Sequence, residues 1–136
     1  MKVNGFTIIE LMISILILSI LATISFSIYQ KFYSKSLLTS CLAEISHAKI
    51  AHEIAINDGQ EIKAADNLFQ LNVNSPISCK SHKLQKNKIT GFIKDGKDIS
   101  GSMIVLLRDD ITTSWKCSLE NVPQTFNKDY LPNECF

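Results

Sequence analysis

The chain has 136 residues, 46% of them hydrophobic and 20% charged, with 14 basic against 13 acidic side chains and a formal net charge of +1. This length allows one small domain beside an N-terminal helical segment. The near-balance of charge excludes a protein devoted as a whole to nucleic acid or to an acidic surface, unless its charges are locally segregated. No internal repeat or low-complexity tract interrupts the chain.

In chain order, the first element is a short leader carrying Lys2 and ending in Gly5, followed by Phe6-Thr7-Ile8-Ile9-Glu10-Leu11 and an apolar run from Leu11 to Ile28 with no other charge. A carboxylate inside a membrane-spanning segment costs about 2.5–3.5 kcal/mol on insertion scales, so Glu10 needs a cation. None lies between Asn4 and Gln30 in the intact chain. Cutting between Gly5 and Phe6 would create one, the α-amino group of Phe6, four residues before Glu10 on the same helical face. A secretory signal fits poorly, because its small-residue cleavage site would follow the apolar region and its core would hold no acid. A plain membrane anchor is long enough at 18 residues but gives no reason for Glu10.

The step from a small residue to Phe, then to Glu four positions on, then to an unbroken apolar helix resembles the type III signal of the type IV pilin family. The resemblance implies a leader, residues 1–5, removed by a prepilin peptidase that also N-methylates Phe6. It further implies a membrane or filament-core half over 6–29, a globular head over 30–136, and an ATP-driven pilus assembly machine as partner. The expected path runs from the bacterial inner membrane, spanned once, to an extracellular filament. There Glu10 would accept the Phe6 amine of a neighbouring subunit and set the axial stagger. Many relatives carry a glycine and a proline inside this helix where Ser19 and Ser27 stand here, so helix unwinding in the filament is not carried over. Ser14, Ser19, Thr23, Ser25 and Ser27 either allow close helix packing or bond to their own preceding turn.

The helical pattern continues past Ile28. Leu38, Cys41, Leu42, Ile45, Ala48 and Ala55 keep the 3–4 spacing of one face, and Asn57-Asp58-Gly59 supplies the stop. A single helix from Phe6 to Asn57 would measure about 78 Å. From Gly59 to about Asn87 the chain reads as a polar connecting loop. Strands are expected at Lys88–Lys94, Met103–Arg108 and Ile111–Leu119, with turns at Asp95-Gly96 and Asp109-Asp110. A small antiparallel sheet of this kind needs a cover, which the helical stripe can provide, so the fold class is α+β. Ile99-x-Gly101, Trp115-Lys116-Cys117 and Pro132-x-x-Cys135 resemble the C-terminal half of type IVa pilins.

Four cysteines in an exported chain point to two disulfides, with three connectivities open. A Cys117–Cys135 bridge would pin the irregular tail, leaving Cys41 on the helical stripe with Cys79 in the loop. Trp115 alternates with Lys116 and reads as core or disulfide packing.

Cys79-x-x-His82 raises a zinc reading, but a paired C-x-x-C is absent and His47 and His52 are five apart, so no metal site is assigned. Nor is a cofactor: no nucleophile elbow and no phosphate-cradling loop occurs, so the chain reads as a structural protein rather than an enzyme. Lys80, Lys83, Lys86 and Lys88 fall within nine residues free of acids and form a candidate DNA contact, though without an aromatic for base stacking. The leading expectation is therefore a filament subunit serving adhesion, motility or DNA uptake. A minor pilin that primes or decorates filaments, some of them as DNA receptors, is the second reading. A type II secretion pseudopilin is the third.

Overall fold

A computed structural model describes residues 5–59, 62, 76–96 and 98–135. Two compact units emerge, residues 1–32 and 33–136. In the first, the described residues from Ile8 onward belong to α1 (Ile8–Ser46), and the apolar side chains from Ile8 to Phe32 are exposed on every side. An all-round apolar helix is stable only where lipid or other helices cover it. The helix is long and apolar enough to cross a membrane. Ser14, Ser19, Thr23 and Ser27 each donate to a carbonyl three or four residues earlier, so the apolar surface carries few unspent donors.

In the second unit α1 buries Ser34, Leu38, Cys41, Leu42 and Ile45, and α2 (Ala48–Asn57) buries Ala48, His52 and Ala55. All six stripe positions named from the sequence are buried, but the single helix is two segments separated by a turn at His47. His47 itself has helical dihedrals, φ −62° and ψ −30°, so the stripe keeps its phase. The start falls at Ile8 rather than Phe6, and Gly59, at φ +66°, ends α2 in the left-handed region.

Four antiparallel strands follow in sheet order β1 (Ser81–Gln85), β2 (Lys88–Phe92), β3 (Met103–Arg108) and β4 (Trp115–Glu120). β1 corrects the reading of a loop extending to Asn87. Its only apolar residue is Leu84, but His82 and Leu84 both point inward, and Gln85 pairs with Lys88 across a tight Lys86-Asn87 turn. The part of that expected loop at 60–61 and 63–75 lies outside the described residues, as does the leader at 1–4. β4 begins four residues later than expected. The Asp109 carboxylate accepts the N–H groups of Ile111 and Thr112, and Thr113 takes φ 54°, so residues 110–114 form a turn. β2 ends at Phe92, after which Ile93 bonds Ser102 across the long turn containing Ile99.

The inner side chains of the sheet, Ile89, Ile104, Leu106 and Cys117, join the helical stripe in one core. Gly91 fixes how closely the layers approach. A Cβ there would lie 2.8 Å from Cys41 Sγ, 3.0 Å from Cys79 Sγ and 3.1 Å from Ile45 Cγ2. Trp115 packs against the core, sets its ring edge-on to His52 at 5.1 Å and donates to Glu53 on α2.

Candidate processing and assembly site

The sequence Thr7-x-x-Glu10 starts α1 with reciprocal capping. Thr7 donates its backbone N–H (2.9 Å) and its hydroxyl (2.6 Å) to Glu10 Oε2, while the Glu10 N–H reaches Thr7 Oγ1 at 3.3 Å. This is the capping-box arrangement, in which a carboxylate at the third helical position satisfies an orphan donor of the first turn. Glu10 therefore already has a local partner, one that a search for a cation passes over although the Thr-x-x-Glu spacing signals it. Among the described residues, only one of its oxygens is engaged. Upstream, Gly5 and Phe6 are exposed and non-helical, and nothing approaches within 4 Å of a Cβ built on Gly5. The Gly5–Phe6 bond thus lies just outside the helix.

In the head, Cys41 is bonded to Cys79, linking α1 to the segment entering β1. Cys117 is bonded to Cys135, which also forms an isolated parallel bridge with it. The tail between them is organised by a short 3-10 turn, Lys128–Tyr130, whose buried Tyr130 stacks edge-on with Phe126. Beside the first bridge, the Glu44 carboxylate accepts the N–H groups of Ile77, Ser78 and Cys79 and faces His82 Nε2 at 3.3 Å. Burial pushes the Glu44 carboxyl up, but those N–H groups and His82 outweigh it and hold it below its ordinary value. Burial pushes His82 down, against the pull of Glu44.

The four lysines do not lie in a loop. They flank or occupy the β1–β2 hairpin, because β1 pairs where a loop was expected. Lys80 pairs with Asp95 at 3.2 Å and Lys88 with Glu120 at 3.0 Å, acids distant in sequence but opposite in the fold. Lys83 and Lys86 have no ion pair among the described residues and are exposed. A second charged group was not legible in the sequence: Arg108 forks onto both oxygens of Glu53 at 2.8 Å, tying β3 to α2.

A family model described as pilin, bacterial filament, matches residues 34–136, and one described as the prokaryotic N-terminal methylation motif matches residues 1–26. The chain is similar to a fimbrial protein of Pseudomonas aeruginosa, at 29% identity over 97% of this chain and 96% of that protein. It is similar to a type IV major alpha-pilin of Moraxella bovis, at 29% identity over 86% of each chain. A probable minor fimbrial protein of Dichelobacter nodosus matches at 43% identity over 43% of this chain and 36% of that one.

Proposed function

From the premise that the chain belongs to the pilin family, as a structural subunit of a type IV pilus, we propose the following route into the filament. The chain is made as a prepilin with leader 1–5, cut between Gly5 and Phe6 and methylated on the Phe6 amine. It is held in the inner membrane by residues 6–29 and then drawn into an extracellular filament by an assembly machine, with 30–136 as the head. The observation that carries this is the exposed, non-helical Gly5–Phe6 junction set directly before a helix whose first turn holds the one acid of its apolar stretch. Cleavage adds a positive charge four residues from Glu10. In a bundle of such helices the Glu10 oxygen not held by Thr7 accepts the Phe6 amine of a neighbour, and pairing removes the cost of burying either charge. Because a shift of one helix past another breaks the pair, the contact also sets the axial register.

Intact mass spectrometry of the membrane-extracted protein tests the processing step. A mature chain beginning at methylated Phe6 is expected, and one beginning beyond Ile28 would overturn the proposal. Abundance in sheared surface filaments then separates a major from a minor subunit.

A further inference from the structure

We propose that, when the Cys41–Cys79 bridge is reduced, Cys41, Glu44, Cys79 and His82 bind one zinc-class divalent cation through two thiolates, one carboxylate and one imidazole. Cys41 and Glu44 lie one turn apart on α1, and Cys79 and His82 lie three apart at the entry to β1. The fold therefore brings together two half-sites that no spacing along the chain joins. The donor atoms of Glu44, Cys79 and His82 all lie within 4.8 Å of one another, and Cys41 Sγ is bonded to Cys79 Sγ. Tetrahedral zinc with bonds of about 2.0–2.3 Å sets its donors about 3.3–3.8 Å apart. Reaching that geometry takes small side-chain rotations that part the two sulfurs and draw in the other donors.

An independent observation points to a ligand. The His82 side chain is fully buried and aimed at this cluster, yet among the described residues neither ring nitrogen makes a directed hydrogen bond. A buried imidazole in that state is costly unless something accepts or coordinates it. Glu44 Oε1 takes one N–H, from Ile77, and keeps a lone pair, while Ser78 and Cys79 hold Oε2 and fix the carboxylate's orientation. Gly91, lacking a Cβ, lets both sulfurs sit directly against the β2 backbone.

Metal binding itself moves no electrons, and only the later closure of the bridge needs an oxidant. A newly made chain carries both thiols reduced, and the metal displaces two thiol protons as two metal–sulfur bonds form. Thiol–disulfide exchange with a disulfide oxidant later forms the Cys41–Cys79 S–S bond: the oxidant takes the two electrons and leaves as two thiols, both metal–sulfur bonds break, and the ion is released. Metal and bridge are thus alternative ties between the same two segments, and the metal keeps Cys41 and Cys79 from mispairing with Cys117 and Cys135.

The full chain in detergent micelles, reduced with a water-soluble phosphine that is itself oxidised to the phosphine oxide, is titrated with cobalt(II) chloride and then zinc(II) chloride. One equivalent of cobalt should give the intense visible bands of a tetrahedral ion with a thiolate charge-transfer band. Zinc should bleach both, and the oxidised chain should give neither. Cys117→Ser/Cys135→Ser should keep the bands and Cys41→Ser/Cys79→Ser should lose them. His82→Gln and Glu44→Gln should each weaken binding by more than about tenfold, the loss that even supporting residues around a metal produce. Metal binding couples to folding, so far-ultraviolet dichroism of the reduced chain should move toward the oxidised spectrum when zinc is added. Absence of tetrahedral bands in the reduced chain would overturn the proposal. So would bands that survive in Cys41→Ser/Cys79→Ser, or unchanged affinity in both single variants.

Discussion

Thr7 and Glu10 cap each other at the start of α1, with the Thr7 hydroxyl 2.6 Å and its N–H 2.9 Å from one and the same carboxylate oxygen. The carboxylate is held in place, and among the described residues its other oxygen accepts no hydrogen bond. Removing the side chain should separate local from intermolecular roles. Glu10→Ala should leave the head folded and cleavage intact but sharply reduce filaments in sheared surface fractions. Thr7→Ala should cost about 1 kcal/mol of helix-start stability, as loss of an N-cap does, with Thr7→Ser restoring it. Hydrogen exchange at the Glu10 and Leu11 amides would report the cap, and equal filament yield from wild type and Glu10→Ala would remove the proposed role.

Gly91→Ala should destabilise the head by about 1–3 kcal/mol, the usual cost of overpacking. The new methyl would lie 2.8 Å from Cys41 Sγ and 3.0 Å from Cys79 Sγ, atoms whose bridge cannot swing away. Denaturant unfolding of the full chain in micelles, followed by Trp115 fluorescence, measures it. A midpoint equal to wild type would mean that the helix and sheet layers separate freely.

Acid should weaken the head in two stages. His82 lies below its ordinary value of 6.5 because it is buried, so the unfolded chain takes up that proton first. The associated stability is present above about pH 6.5 and is lost as pH falls toward the lower folded value. Glu44, and with it Glu53, Asp95 and Asp109, are held below their ordinary values, so their contribution is lost only as pH falls through the lower folded values. Thermal unfolding from about pH 8 to about pH 3 should show both stages, with His82→Gln lacking the upper one. A melting temperature flat from pH 8 to pH 5 would contradict the burial of a neutral His82.

The basic hairpin should bind duplex DNA weakly or not at all. Lys80 and Lys88 already face Asp95 and Glu120, leaving two lysines for phosphates and a log–log salt slope no steeper than about −2, from about −0.9 per phosphate. Titration of labelled duplex at low salt checks this. A slope near −4 would mean that both ion pairs open on binding.

What the sequence disclosed follows the range of each interaction. The Phe6 and Glu10 signal, the buried stripe from Leu38 to Ala55 and the bounds of β3 depend on spacing within one segment, where periodicity carries the information. β1 escaped because its stability comes from pairing with β2, and Ser81-His82-Lys83-Leu84-Gln85 shows only a faint alternation by itself. The start of β4 was misread because Asp109 spends its carboxylate on capping a turn through residues that are otherwise good strand formers. Ion pairs such as Glu53 with Arg108 join positions 55 apart, which no local pattern announces. The convergence of His82 and Glu44 beside the Cys41–Cys79 bridge is hidden for the same reason.

The pairing of Glu10 with a neighbour's amine is tested most directly by the structure of the assembled filament at a resolution that shows side chains. The Phe6 nitrogen of one subunit should lie within about 4 Å of the Glu10 carboxylate of an adjacent subunit, the distance that defines an ion pair, with Thr7 still holding the other oxygen. A filament in which every Glu10 contacts only its own Thr7, with the nearest Phe6 nitrogen well beyond that distance, would contradict the account.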